Sequence, residues 1–360
     1  MRCGSTQAAV RPILERMAAR AGIIGEEAHR FWKVFDLLTR ESLEFNSTDA
    51  GRRFSGICRD GTPWQFCVTM GAKSVPAVRF LTEVGSPATP LTLRTELTVA
   101  RITEVLEVAG MPDRLAATQV LAGLSPADDD HIAGLWVGFA MDGTARPRLR
   151  LYANNGWGDS NARWLRLISA LRQLNAGGFG ASLQPLLGLL VPAFSPAGFA
   201  ITMPTSPPLC KLYLRPLGSP WSAVRAVAHA VLGPGSGAFI AAIEDGLERP
   251  LETLPERAVI LSTAGSAAGG PIDVKLDFCG HCLFEEDGGP ARAVERLGRS
   301  LGLDTAPYHA MCEDLGGFGT QMPHELVAFI GVGANASAEN RMNVYLTPPA
   351  VDKPFGPPPR

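Results

Sequence analysis

Tyrosine is scarce in this sequence: four residues in 360, against 16 phenylalanines. Charge of one sign is lacking too, with 33 Lys and Arg against 35 Asp and Glu and a formal net charge of −2. That excludes a nucleic-acid surface, which needs a basic excess, so any anion site must be local. No continuous apolar stretch reaches 18 residues, and no membrane span is expected. The longest candidate, Leu183 to Phe199, is interrupted by Pro185, Pro192 and Pro196. Gln7, Arg11, Glu15 and Arg16 stand where a secretory leader would have its apolar core. The seven cysteines (3, 58, 67, 210, 279, 282 and 312) are odd in number and scattered. They fit reduced thiols better than a disulfide framework, and a cytoplasmic protein is expected.

What the chain does have is a pattern around its few tyrosines. Lys211-Leu212-Tyr213 lies in an apolar run between Pro208 and Pro216, which reads as a short strand. Side chains two apart share a face, so Lys211 and Tyr213 point one way and Leu212 and Leu214 the other. The arrangement recurs in Arg150-Leu151-Tyr152 and Asn343-Val344-Tyr345, and with Asp in the aromatic place in Lys275-Leu276-Asp277. Arg79, in the strand-like run Ala77 to Val84 with Glu83, extends the series towards the N-terminus. Successive steps from Arg79 to Arg150, Lys211, Lys275 and Asn343 are 71, 61, 64 and 68 residues. A near-constant period of this size marks a repeated supersecondary unit. Only Tyr308 lies outside it.

Between the strands the apolar spacing turns helical. Val10 to Leu43 reads as two helices separated at Gly22, followed by Thr92–Ala109, Asn161–Leu174, Trp221–Leu232 and, as the last internal helix, Ala291–Leu301. Arg53–Cys58 and Pro63–Met70 are expected to form a hairpin about Asp60-Gly61. Another turn, Met141-Asp142-Gly143-Thr144, joins Asp130–Phe139 to Arg148–Ala153. The later strand pairs are Gly198–Met203 with the Lys211 run, Ala258–Ser262 with Ile272–Phe278, and Leu326–Val332 with Met342–Thr347. The predicted fold class is α/β: an antiparallel ten-stranded β-barrel ringed by α-helices, built from repeated helix–hairpin units. One domain is expected over residues 1–348, with a Pro-rich tail over 349–360. Closure removes exposed edges, and ten strands leave a lumen wide enough for a ligand.

That lumen would collect Arg79, Arg150, Lys211, Lys275 and Arg341, with Tyr152, Tyr213 and Tyr345 beside them. Cations converging in a low-dielectric cavity are costly unless they meet an anion. A diphosphate suits them, because each charge-assisted hydrogen bond to such an oxygen contributes about 1.5–3 kcal/mol. Tyrosine faces attract a cation by roughly 0.5–2 kcal/mol each. An allylic diphosphate that ionises uses both halves of this lining.

At these residues the chain resembles the aromatic prenyltransferases with the ten-stranded ABBA barrel, especially the dimethylallyltryptophan synthase branch and its cyanobactin peptide-modifying relatives. The resemblance runs from about Phe35 to Pro348 and rests on Asp60-Gly61-Thr62-Pro63, Val78-Arg79-Phe80-Leu81-Thr82-Glu83, Arg150-Leu151-Tyr152, Lys211-Leu212-Tyr213, Lys275 and Asn343-Val344-Tyr345-Leu346. It implies an allylic prenyl diphosphate as donor and an aromatic small molecule or peptide as acceptor. The basic residues would hold the diphosphate and the tyrosines would shield the prenyl cation. The family carries Glu in the strand after the Gly-x-Pro turn, where this chain has Gln65. A neutral amide orients an N–H but is a poor proton acceptor, which leaves Glu83 and Asp277 as candidate bases. Asp277 also stands where the resemblance leads one to expect a shielding Tyr. No cofactor is required, and magnesium is left open as a companion of the diphosphate.

Other motifs compete. Cys279-Gly280-His281-Cys282 has the letters of a dithiol oxidoreductase, but Phe284-Glu285-Glu286-Asp287-Gly288-Gly289-Pro290 cannot supply the long helix such a site needs. Cys279, Cys282, His309 and Cys312 form a plausible zinc set, Cys-x2-Cys with His-x2-Cys. Asp128-Asp129-Asp130 occurs once and reads as a cap or solvated turn, and Gly265–Gly270 lacks the Lys-Ser/Thr end of a phosphate loop. His131, His229 and His324 have no spaced partners and read as structural. The competing function is a non-catalytic barrel that binds an amphipathic anion.

Overall fold

The computed structural model describes residues 6–42, 55–58, 61–71, 77–86, 89–111, 115–126, 134–143, 147–203, 205–285, 288–316, 323, 326–337 and 339–348. Asp128 to His131, Thr144, His324, the turn residues Arg59 and Asp60, and the tail over 349–360 lie outside them. In chain order the elements are α1 (Thr6–Arg20), α2 (Gly25–Thr39), β1 (Trp64–Gly71), β2 (Val78–Thr82), α3 (Leu91–Val108), α4 (Leu115–Ala122), β3 (Leu135–Met141) and β4 (Arg148–Asn154). Next come α5 (Ser160–Gln173), α6 (Gly177–Leu183), α7 (Leu187–Ala193), β5 (Phe194–Met203), β6 (Leu209–Pro216), α8 (Trp221–Leu232) and α9 (Ser236–Leu247). The last are β7 (Val259–Ser266), β8 (Asp273–Cys279), α10 (Gly280–Leu283), α11 (Gly289–Leu301), α12 (Ala306–Leu315), β9 (Val327–Ala334) and β10 (Asn340–Leu346).

The ten strands form one closed barrel in which each pairs antiparallel with its sequence neighbours and β1 closes on β10. The expected architecture is therefore the observed one. Alternation decides which way each side chain points. In β3, Leu135, Val137, Phe139 and Met141 are buried while Trp136, Gly138 and Ala140 are half-buried towards the lumen. The outer residues meet the helices in a continuous apolar layer. Its densest part joins α2 to β1, β2 and β3: Phe35 meets Trp64 at a tilt at 5.5 Å and Phe80 edge-on at 6.0 Å, and Phe80 stacks on Phe139 at 5.4 Å between ring centroids. Such aromatic pairs add about 0.5–1.5 kcal/mol each beyond their buried area.

Two expectations are corrected. The described part of the Arg53–Cys58 run, residues 55–58, is a bend rather than a strand, and β1 takes β2 and β10 as its neighbours. The barrel closes with ten strands and has no edge left for it. Its polar groups serve a turn instead, with Ser55 N–H donating to the Gly61 carbonyl at 3.2 Å. Ala291–Leu301 is not the last helix, because α12 follows it and buries Tyr308, Met311 and Cys312. Trp221–Leu247, taken as one run, is long and apolar enough to cross a membrane. Here a 3-10 turn at Gly233–Gly235 splits it into α8 and α9, which pack on one another, and α9 packs on α11.

Because Phe35 touches both the helix layer and two strands, Phe35→Ala should destabilise the fold by about 3–5 kcal/mol in equilibrium urea unfolding. A loss below about 1 kcal/mol would show that the aromatic layer does not bear on stability.

Candidate active site

A cavity of about 630 Å³ runs through the barrel, lined by Gln65, Cys67, Arg79, Trp136, Arg148, Arg150, Tyr152, Tyr213, Asp277, Asn343 and Tyr345 among others. Odd strands run opposite to even ones, and this grades the lining along the barrel axis. Residues two beyond the cations on β4, β6 and β8, namely Tyr152, Tyr213 and Asp277, lie nearer the end that carries Gln65, Trp136, Ile260 and Phe329. Cations thus form one ring and aromatic rings the next, and Arg163 and Arg215 line the cavity beyond them.

The cations differ in how far they are satisfied. Arg150 donates through Nε to Thr202 Oγ1 at 2.7 Å. Lys275 donates to the Asp277 carboxylate and, at 2.9 Å, to Tyr345 Oη. Lys211 is 7 % exposed, and its ammonium stands 4.6 Å from the Tyr213 ring centroid with no carboxylate bound to it. Burial, reinforced by the like charges of Lys275 and Arg150 and opposed by Asp277, holds the Lys211 ammonium well below its ordinary range. Arg79 has no carboxylate partner among the described residues, and burial lowers it as well. Of the expected cations, Arg79 and Arg150 line the cavity, Lys211 and Lys275 stand behind it against the rings of Tyr213 and Tyr345, and Arg341 donates to Asp273 at 2.6 Å and does not line it either.

Asp277 is the one carboxylate in the described lining. Burial alone would raise it, but Lys275 and Lys211 beside it hold its carboxyl below the usual range. A carboxylate so held is a poor base. Glu83 does not reach the cavity at all: it is 1 % exposed and accepts from Ser55 Oγ at 2.6 Å and from Arg94 Nη1 at 2.9 Å. Burial pushes it up to about 7 against the pull of Arg94 and Ser55. Residues Gly56 and Ile57 screen it from the lumen and themselves line the cavity. The Ile57 carbonyl accepts from Gln65 Nε2 at 2.6 Å, so the Gln65 amide oxygen is the atom it can offer a ligand.

The aromatic partners converge as expected. Tyr152 and Tyr213 rings lie 5.9 Å apart, and Tyr345 meets Phe329 edge-on at 6.5 Å. Burial raises Tyr345 to about 12, so it stays a hydrogen-bond donor at neutral pH. Sequence reasoning missed Arg148, which shares the Arg150 face but is followed two residues later by Arg rather than Tyr. It also missed the glycines that make room. A Cβ at Gly331 would overlap the Asp277 carboxylate and the Lys275 ammonium, and one at Gly138 would stand 3.0 Å from the Tyr152 ring. Tyr152 and the Lys275–Asp277 pair each lie against a bare glycine backbone on the next strand.

The rival motifs resolve. His309 bonds Glu295 and Cys312 is buried beside Tyr308, so the rival set of Cys279, Cys282, His309 and Cys312 does not assemble. Burial pushes the Cys279 thiol up to about 12, the wrong direction for a redox nucleophile. Gly265 and Ser266 complete β7 rather than forming a loop. His229 contacts Ser236 Oγ at 3.3 Å, a structural role as expected.

No protein-family profile matches this chain, and no curated protein sequence matches it either. Solved structures do. The 5-dimethylallyltryptophan synthase from Streptomyces coelicolor superimposes with a TM-score of 0.82 at 16 % identity, over 98 % of this chain and 100 % of that one. A 6-dimethylallyltryptophan synthase from Micromonospora olivasterospora, in complex with DMASPP and Trp, gives 0.76 at 20 % identity, over 97 % and 98 %. AnaPT from Neosartorya fischeri gives 0.72 at 13 % identity, over 95 % and 94 %. The fold is the barrel of the aromatic prenyltransferases.

Gly331→Ala should cost about 1–3 kcal/mol by forcing the Lys275–Asp277 pair off the wall, read as a shift in urea midpoint. Gly188→Ala, in the open interior of α7 with no atom near its Cβ, should be neutral or stabilise by about 0.4–1 kcal/mol. Equal effects at the two sites would contradict the packing described.

Proposed function

We propose that this chain is an aromatic prenyltransferase that moves a dimethylallyl or geranyl group from an allylic diphosphate to tryptophan, another indole, or an aromatic residue of a peptide. The observation that carries the proposal is a cavity that the half-buried Arg79 and Arg150 line beside Tyr152, Tyr213 and Tyr345, with the buried Lys211 ammonium 4.6 Å from the Tyr213 ring centroid and, like Arg79, without a carboxylate partner among the described residues. The Trp-bound neighbour favours an indole among the acceptors. Free thiols at all six described cysteines favour a reducing, cytoplasmic setting. The catalytic unit is taken as one barrel domain over residues 1–348.

Arg79, Arg150 and Lys211, with Lys275 through its Tyr345 bond, hold the diphosphate, and Arg148 adds a cation at the far side. Arg341 belongs to the wall through Asp273. As the allylic C–O bond breaks, its electron pair leaves with the diphosphate, where these charges stabilise the developing anion more than the bound ester. Tyr152, Tyr213 and Tyr345 face the allylic cation and keep water from quenching it. The acceptor ring, its N–H or O–H set by the Gln65 amide oxygen, supplies the electrons of the new C–C or C–X bond and then loses one proton. Gln65 cannot take that proton, Asp277 is bound to Lys275, and Glu83 lies behind Ser55 and Ile57. The departing diphosphate is the base this lining leaves in contact with the intermediate. Glu83 therefore acts through Ser55, bracing the segment whose Ile57 carbonyl orients Gln65.

Release of pyrophosphate from dimethylallyl or geranyl diphosphate should depend on an acceptor from a panel of tryptophan, tyrosine and short peptides. Omitting magnesium should not lower it, because side-chain cations already face the anion. Lys211→Ala should cut kcat/KM by about 100-fold and Tyr213→Ala by about tenfold. Gln65→Ala should raise the acceptor KM more than it lowers kcat. Tight diphosphate binding without release under any condition would mark a barrel that only binds, and unchanged turnover in both Lys211→Ala and Tyr213→Ala would overturn the site.

A further inference from the structure

At the mouth of the barrel, β8 ends on Cys279 and the chain turns at once through Gly280, His281 and Cys282 into the short helix α10. The three potential ligand atoms of Cys279, His281 and Cys282 all lie within 4.8 Å of one another. The His281 ring presents its edge to Cys279, with Nδ1 at 3.1 Å and Nε2 at 3.2 Å from Sγ. Among the described residues no other group of His, Cys, Asp or Glu is gathered in this way.

We propose that Cys279, His281 and Cys282 form a site for one zinc(II) ion that fastens the rim of the barrel. Two thiolates and an imidazole make a borderline-soft donor set, which suits zinc and offers no oxygen ligands to magnesium or calcium. Zinc bonds of about 2.3 Å to sulfur and 2.0–2.1 Å to nitrogen put tetrahedral ligands roughly 3.5–3.8 Å apart, so the His281 ring would turn and open slightly from Cys279 while the wider pair closes from within 4.8 Å. Cys-x2-Cys on a tight turn is a spacing that structural zinc sites use, and here the intervening His supplies the third ligand.

The backbone of the turn is braced for this purpose. A Cβ at Gly280 would overlap the Val327 carbonyl oxygen, so only glycine lets the turn lie against the start of β9. Cys279 sits opposite Phe329 in the β8–β9 register, and Phe329 lines the cavity. Cys279 is buried, Cys282 half-buried and His281 exposed, so an ion enters from solvent and water fills its fourth position. Binding exchanges two thiol protons for the metal: both leave to solvent and no electron moves.

The test is metal binding itself, so its outcome is independent of the prenyl-transfer proposal. The full chain, purified reduced and stripped with chelator, is titrated anaerobically with cobalt(II). One cobalt per chain should appear with intense tetrahedral d–d bands and a thiolate-to-cobalt charge-transfer band, and one equivalent of zinc should abolish both. Cys282→Ser should remove roughly half of the charge-transfer intensity, since one of two thiolates is lost. His281→Ala, at an exposed position that leaves folding intact, should weaken zinc by roughly 100-fold. His309→Ala should leave binding unchanged. Octahedral cobalt, a signal insensitive to His281→Ala and Cys282→Ser, or a Cys279–Cys282 disulfide in place of metal uptake would each overturn the proposal.

Discussion

Everything on the inner wall follows from one imbalance: the lumen gathers more cations than it has carboxylates to meet them. Asp277 is the single acid in the described lining, and it is already bound to Lys275. Burying Lys211 and half-burying Arg79, neither with a carboxylate partner among the described residues, costs free energy that the inner wall does not return. The outer wall has to offset it, which is why the apolar layer between strands and helices is continuous and why its aromatic cluster spans α2 and three strands. Closure serves the same end, since every strand finds two neighbours and no backbone edge is left unpaired.

Crowding on the inside is relieved by glycine. Gly138 and Gly331 give Tyr152 and the Lys275–Asp277 pair a flat surface to lie on, so large side chains can converge and still leave a cavity. The same economy places function on rigid strands rather than loops, with ring positions fixed by register. Among the described residues, non-strand chain enters the lining at Gly56 and Ile57, at Gly156 and Arg163, and at Thr205, while the Cys279 turn closes β8 beside Phe329.

How much of this was legible depended on whether a signal was local. Alternation in Arg150-Leu151-Tyr152 and Lys211-Leu212-Tyr213 needs only the two-residue period of a strand, and it located both the barrel and its lining. That pattern tolerates almost any apolar residue on the outside, which is how the fold persists at 13–20 % identity to its neighbours. Partnership was not local. Arg341 looks like Arg150 until Asp273 is seen beside it, and Glu83 looks like a lumen acid until Ser55 and Arg94 enclose it. His309 and His281 are equally good ligands on paper, and only the turn after β8 decides between them. Helix α9 begins on Ser236 directly behind the Gly233–Gly235 turn, which reads as the end of α8, and α12 was passed over although Thr305 at its N-cap and Pro307 in its first turn are start signals.

The most direct test of the central imbalance is a calorimetric titration of inorganic pyrophosphate into the chain, repeated over pH and in two buffers of different protonation enthalpy. Burial first, and then Lys275, Arg150 and Arg341, depress Lys211 in the empty lumen; an anion beside it raises it again. The account predicts proton uptake on binding and an affinity that falls as pH rises through the depressed Lys211 value, with both effects lost in Lys211→Met. Absence of binding, or binding with no proton uptake at any pH, would contradict it.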